Sequence, residues 1–188
     1  MNYQFLANTR LFRGISVDEL EKMLACFSVQ TRQYEKGSLI LRAGQTVSAI
    51  GLVLSGNITI ENNDLWGNRT VMDRLGAGAI FAESYALTPE EILMVDIVAN
   101  EPTEVLFLQT RAILNPCQKS CYSHRALLGN LLAISSQKNL HMSRHILHTS
   151  PKTIRGRLLS YLSFFAQKEA RRNSPRPFFE VPFSIGYR

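Results

Sequence analysis

Histidine is missing from the first 123 residues of this 188-residue chain; the four present are His124, His141, His145 and His148. A β-rich metalloenzyme that holds its metal through strand histidines would lack its ligands there. No nucleophile–base pairing or phosphate loop stands out in their place. The expectation is a protein that is not an enzyme and carries no cofactor. Cysteine is scarce too: Cys26, Cys117 and Cys121 make no even framework, which fits a reducing cytoplasm. Long apolar runs are absent. The longest uncharged stretch, 43–60, carries Gln45, Thr46, Ser48, Ser55, Asn57 and three glycines, too polar to span a bilayer. The first ten residues lack a basic start followed by an apolar core, so no export signal is expected, and the location implied is cytoplasmic, away from membranes.

Acidic residues run out in the rear. Residues 1–110 hold 8 Lys+Arg against 13 Asp+Glu, a charge of −5, whereas residues 111–188 hold 13 against 2, a charge of +11. A basic rear suits an anionic partner, and equally suits a solvated helix surface. Apolar content of 45% with 19% charged residues describes a folded globular chain.

Ser16-Val17-Asp18-Glu19 is a capping box, followed by Leu20, Met23, Leu24 and Phe27 at helical spacing. From 28 to about 108 the period shortens. Strands are expected at 29–34, 38–42, 49–54, 57–62, 70–75, 92–99 and 104–108, punctuated by Gly37, Gly44, Gly56, Gly67, Gly76 and Gly78. Many short strands with turn residues between them indicate an antiparallel sandwich or barrel. Ser55-Gly56 is a tight hairpin turn, and Trp66, in the polar hairpin end 62–68, is expected as a partly exposed cover residue. Residues 84–91 form a short helical or looped excursion.

After Gln109 a helix is expected from roughly 112 or 123 to 148, broken or kinked near Pro116. Leu128, Leu132, Ser135, Asn139, Met142 and Ile146 fall on one 3-4 register, a seam with a polar middle suited to a parallel helix pair. Packing on the chain's own β-domain would use the neighbouring leucines. Thr149-Ser150-Pro151 reads as a stop and restart, with Ser150 as N-cap and Pro151 at the first helical position. The next helix runs to about 170 with Ile154, Leu158, Leu162 and Phe165 on one face, and 178–183 could form a short strand.

This order of elements resembles the Crp/Fnr family of bacterial transcription regulators. The residues carrying the resemblance are Tyr34-Glu35-Lys36-Gly37, Gly51-Leu52-Val53-Leu54-Ser55-Gly56 with Ile58 and Ile60, Asp73-Arg74-Leu75-Gly76-Ala77-Gly78, and Phe81-Ala82-Glu83. Glu104-Val105-Leu106-Phe107-Leu108 and Lys152-Thr153-Ile154-Arg155 with Leu158-Leu159 continue it. The resemblance implies an α+β chain. Residues 1–110 would be a cyclic-nucleotide-binding-like β jelly roll, 111–149 a dimerisation helix, and 150–188 the start of a winged helix-turn-helix. The sequence follows that domain as far as Pro182-Phe183-Ser184, so its reading helices are expected to be absent here, either because the chain is truncated or shifted at this point or because this member has lost its DNA reader. DNA is thus the expected partner of a full-length protein, with only phosphate-directed charge at Lys152, Arg155, Arg171 and Arg172 here. A homodimer and a hinge at Thr149, Ser150 and Pro151 are also implied.

Members that bind cyclic AMP carry Gly-Glu and later Arg-Ser, the glutamate taking the ribose hydroxyl and the arginine the cyclic phosphate. Here Glu83 matches the glutamate with Ala82 before it, while the arginine and serine positions fall on Leu93 and Met94. No Arg or Lys lies between Arg74 and Arg111. The resemblance therefore implies an effector other than cyclic AMP, in a pocket lined by Glu83, Tyr85, Leu93 and Met94 and closed by the long helix near Lys138 and Asn139. A filled core without ligand is the alternative. Cys117 and Cys121 with His124, or His141, His145 and His148, have spacings that can bind zinc or haem iron, which would make the chain a metal or redox sensor. A cupin-like enzyme shares the jelly-roll shape.

Overall fold

The computed structural model describes residues 1–27, 29–64, 66–115 and 122–173, with side chains inside the last helix to 169. Two compact units emerge, 1–137 and 138–188. In the first, α1 (Tyr3–Ala7) and α2 (Val17–Cys26) precede eight strands: β1 (Val29–Tyr34), β2 (Leu39–Leu41), β3 (Ala49–Ser55), β4 (Asn57–Asn63), β5 (Arg69–Gly76), β6 (Ile80–Phe81), β7 (Asp96–Ala99) and β8 (Thr103–Gln109). A short helix α3 (Glu83–Leu87) lies between β6 and β7, and α4 (Thr110–Leu114) follows β8. The long helix α5 (Tyr122–Thr149) crosses from the first unit into the second, which also holds α6 (Ile154–Asn173).

The strands form two antiparallel four-stranded sheets, ordered β1-β8-β3-β6 and β2-β7-β4-β5. Successive strand residues point to opposite faces, and the first sheet is covered on both. On one face Ile50, Leu52, Leu106 and Leu108 pack with Leu20, Met23 and Leu24 of α2 and Leu127, Leu131 and Ile134 of α5. On the other, Val53, Phe81, Val105 and Phe107 meet Ile40, Ile58, Ile97 and Ala99 of the second sheet. That double cover explains why the β3 and β8 sequences read as unbroken apolar runs instead of alternating.

Local signals behave as their chemistry dictates. The Ser16–Glu19 capping box closes in both directions, and hydrogen bonds from Ser16 hold the Glu19 carboxyl below the ordinary glutamate range. Gly56 takes φ +81° between β3 and β4, and a Cβ there would stand 2.5 Å from Thr103 Oγ1 and 2.6 Å from the Pro102 carbonyl. Only glycine fits this turn.

Several expectations need correction. The strand expected over 92–99 shortens to β7, with Ile92 making an isolated bridge to Thr46. Trp66 is almost wholly exposed, at 85%, rather than a partly exposed cover. The helix expected from Pro151 starts at Ile154, and its first turn is capped by Thr153, whose Oγ1 accepts from the Gly156 N–H at 3.0 Å. Ser150 instead donates its hydroxyl to the Leu147 carbonyl, and Thr149 to His145, so both close the end of α5. The α6 face of Ile154, Leu158, Leu162 and Phe165 stands exposed. The strand expected over 178–183 lies outside the described residues. Among the described residues no helix is long and apolar enough to cross a membrane.

Candidate functional site

The stretch that leads into Glu83 is fixed from below by a glycine. β6 pairs with β3 so that Gly51 lies opposite Phe81, and a Cβ on Gly51 would collide with the tip of the Phe81 ring. Phe81 in turn stands edge-on to Phe107, with ring centroids 6.2 Å apart. The chain then turns sharply: Ala82 is left-handed, φ 59° and ψ 10°, and serves as N-cap of α3 without a side-chain bond. That turn buries Glu83, which is 4% exposed, while Tyr85, two residues later, is half-buried.

Residues 92–96 are zipped to the turn 43–46. The Gly44 N–H donates to the Leu93 carbonyl at 2.8 Å and the Leu93 N–H to the Gln45 carbonyl at 2.9 Å. Asn62 Nδ2 donates to the Met94 carbonyl at 3.1 Å, and the Ala43 N–H to Asp96 Oδ1 at 2.8 Å. Leu93 and Met94 consequently turn opposite ways: Leu93 is 1% exposed and Met94 68%. Lys138 and Asn139 belong to the second unit, Lys138 half-buried and Asn139 exposed.

Along α5, Leu127, Leu131 and Ile134 at i, i+4 and i+7 pack into the core of the first unit. Leu128 is partly buried against that core and Ser135 half-buried, whereas Leu132, Asn139, Met142 and Ile146 are exposed. Thr149, Ser150 and Pro151 sit where α5 ends, and Lys152 and Arg155 are exposed just after them. Arg171 and Arg172 fall in the last turn of α6, where the side chains are outside the described residues.

The metal-ligand spacings divide. Cys117 and Cys121 lie outside the described residues. His124 is buried, with Nε2 against the Ile113 carbonyl and its ring edge-on to Phe27. His148 turns its Nδ1 to Ser160 Oγ at 3.1 Å. Among the described residues no group of three or more His, Cys, Asp or Glu is placed to hold a metal ion.

Two recesses have no counterpart in the sequence reading. One, of about 460 Å³, lies among α2, α4 and the start of α5 and is walled by Met23, Cys26, Phe27, Ala112, Tyr122 and His124. The other, of about 220 Å³, opens beside β1, β2 and β8 at Arg32 and Phe107. Neither carries a motif: their linings come from distant segments brought together by the sheet order, which no local pattern encodes.

Comparison with known proteins agrees with this geometry. Residues 31–120 match the family model described as the cyclic nucleotide-binding domain. Over 98 residues the chain is 34% identical to the Cyclic AMP receptor protein of Thermus thermophilus, covering 52% of this chain and 44% of that protein. Among solved structures, the Catabolite Activator Protein of Thermus thermophilus is 26% identical with a TM-score of 0.61, covering 73% of this chain and 62% of that one. The sensor domain of the transcriptional regulator DNR from Pseudomonas aeruginosa gives 21% identity and a TM-score of 0.56, covering 80% of this chain and 93% of the sensor domain. The chain thus spans less than two thirds of the receptor and activator proteins. Two antiparallel four-stranded sheets, the β6–Ala82–α3 turn that buries Glu83, and the match over residues 31–120 together identify a domain of the cyclic nucleotide-binding fold.

Proposed function

We propose that this chain is the sensor and dimerisation portion of a Crp/Fnr-type transcription regulator whose effector is not cyclic AMP. The observation that carries the proposal is Leu93. It is buried, the resemblance assigns it the place of the phosphate-pairing arginine, and no Lys or Arg lies between Arg74 and Arg111 to take over that role. A cyclic phosphate brought against leucine would lose its hydration without a cationic partner, a cost of several kcal/mol or about a thousandfold in affinity. With a carboxylate at Glu83 and no cation beside Leu93, a neutral or hydroxyl-bearing effector would suit a site at Glu83, Tyr85 and Leu93 better than a phosphate; Met94, turned away from Leu93, would not line it.

The remainder of the mechanism follows from a two-state pair of helices. The seam Leu128, Leu132, Ser135, Asn139, Met142 and Ile146 joins two copies. Effector binding biases their arrangement, and the hinge at Thr149, Ser150 and Pro151 relays it to the DNA-binding element. Lys152, Arg155, Arg171 and Arg172 are assigned to DNA phosphate.

Titration calorimetry with cyclic AMP tests the effector claim. The unaltered chain gives no saturable heat, whereas the double variant Leu93→Arg, Met94→Ser gains measurable affinity. Tight binding of cyclic AMP by the unaltered chain overturns the reading, whatever the variant does.

A further inference from the structure

The 220 Å³ groove beside β1 and β8 has a chemistry that the fold does not require. Its floor is apolar: the Phe107 ring, with Ile40, Leu41, Val47 and Ala49 around it. Over that floor hangs one cation. The Arg32 guanidinium lies 5.8 Å from the Phe107 ring centroid, and its Nη2 donates to Gln30 Oε1 at 3.1 Å. Arg32 makes no ion pair among the described residues, and no carboxylate lines the groove.

The remaining polar groups are biased toward donors. Gln30 spends its side-chain oxygen on Arg32, which leaves its NH₂ uncommitted. Gln109 spends its oxygen on the Ser48 hydroxyl at 3.4 Å, again leaving the NH₂. The Ser48 carbonyl accepts both the N–H and the hydroxyl of Thr110 at 2.9 Å, which pins this wall to the end of β8. Gln45 adds a third carboxamide. An unpaired guanidinium with amide donors around it, set over an aromatic floor, is complementary to an anion on a flat apolar body.

We propose that this groove binds a small organic carboxylate, its carboxylate on Arg32 with the amides of Gln30 and Gln109, its body on Phe107. The volume equals that of about seven liquid waters at ~30 Å³ each, enough for one ring and its carboxylate. The assignment rests on Arg32, Gln30, Gln109 and Phe107, none of which is assigned to the Glu83 site, and holds whether or not that site takes an effector.

Calorimetric titration of the whole chain with sodium benzoate, and separately with inorganic phosphate, tests it. One benzoate per chain is expected at millimolar concentration, with phosphate weaker because it has no apolar body for the floor. Arg32→Gln, at an exposed position, should weaken benzoate by about tenfold or more, the loss of a charge-assisted bidentate contact. Gln109→Glu, isosteric and able to keep the Ser48 contact, should do the same by presenting a like charge. Unchanged melting temperatures for both variants show that the fold is kept. Absence of saturable benzoate binding, equal binding by the variants, or phosphate binding as tight as benzoate each overturns the assignment.

Discussion

Ala82 is the residue on which the Glu83 turn depends, and it is the wrong residue for its backbone. At φ 59° its methyl group crowds the following carbonyl, a conformation that costs an L-residue about 1–2 kcal/mol and glycine nothing. The methyl is partly buried against the inter-sheet cluster, which returns part of that cost. Ala82→Gly should therefore raise stability in urea unfolding by up to about 1 kcal/mol. A loss of stability would mean that the packing of the methyl outweighs its strain. The neighbouring residues show what a sequence can and cannot reveal at this scale. Glu83 was legible through the Phe81-Ala82-Glu83 match, and the absence of a Lys or Arg between Arg74 and Arg111 could be read by counting. The opposite pointing of Leu93 and Met94 could not. It depends on the pairing of 92–96 with 43–46, a register that forms only once the β2–β7 edge is assembled.

At the scale of elements, the strands with strong turn punctuation were legible, the three-residue β2 among them, and the two-residue β6 was not. β1 was expected at its observed bounds, because a β-rich stretch lies between a helix end and a Gly37 turn. β6 has two residues and no pattern of its own; it exists because Phe81 lies over Gly51. The start of α6 was misread because Ser-Pro imitates an N-cap with proline at the first position. Thr149 and Ser150 are instead spent on carbonyls of α5, and Thr153 takes the capping role. Beyond that turn a small cluster ties the two helix ends together within the second unit. His148 bonds Ser160 and stands edge-on to Tyr161 and Phe164, at 5.7 and 5.3 Å, and Arg144 lies 5.4 Å over Phe164. Tyr161 and Phe165 remain over 40% exposed, so this contact is a clasp and not a sealed core. His148→Ala removes one hydrogen bond and two ring contacts, together about 1.5–2 kcal/mol. Amide exchange over 154–165 should then speed up roughly tenfold or more, while β3 and β8 keep their protection. Unchanged exchange in α6 would show that the cluster holds nothing.

For the whole molecule, the question is what the long helix does with two different faces. Leu127, Leu131 and Ile134 are committed to the first unit, yet Leu132, Met142 and Ile146 expose more than 60% of their surface on a helix that also bears Leu140 and Leu147 at 54% and 59%. Scattered apolar residues on a surface need no explanation, but a stripe at alternating steps of four and three is the pattern of a helix that meets another helix. A self-partner is favoured because the same seam on a second copy presents the same apolar ends, with Ser135 and Asn139 facing their counterparts in the middle and fixing the register. Replacing Leu132 and Ile146 by glutamate removes apolar contact and sets like charges face to face across the symmetry axis, at positions already exposed in the single chain, so the β-sandwich should melt unchanged. Sedimentation equilibrium should therefore return twice 21.2 kDa for the unaltered chain and 21.2 kDa for the double variant. An unaltered chain that sediments as a monomer at high micromolar concentration would mean that the stripe serves another partner and that the paired-helix mechanism does not apply.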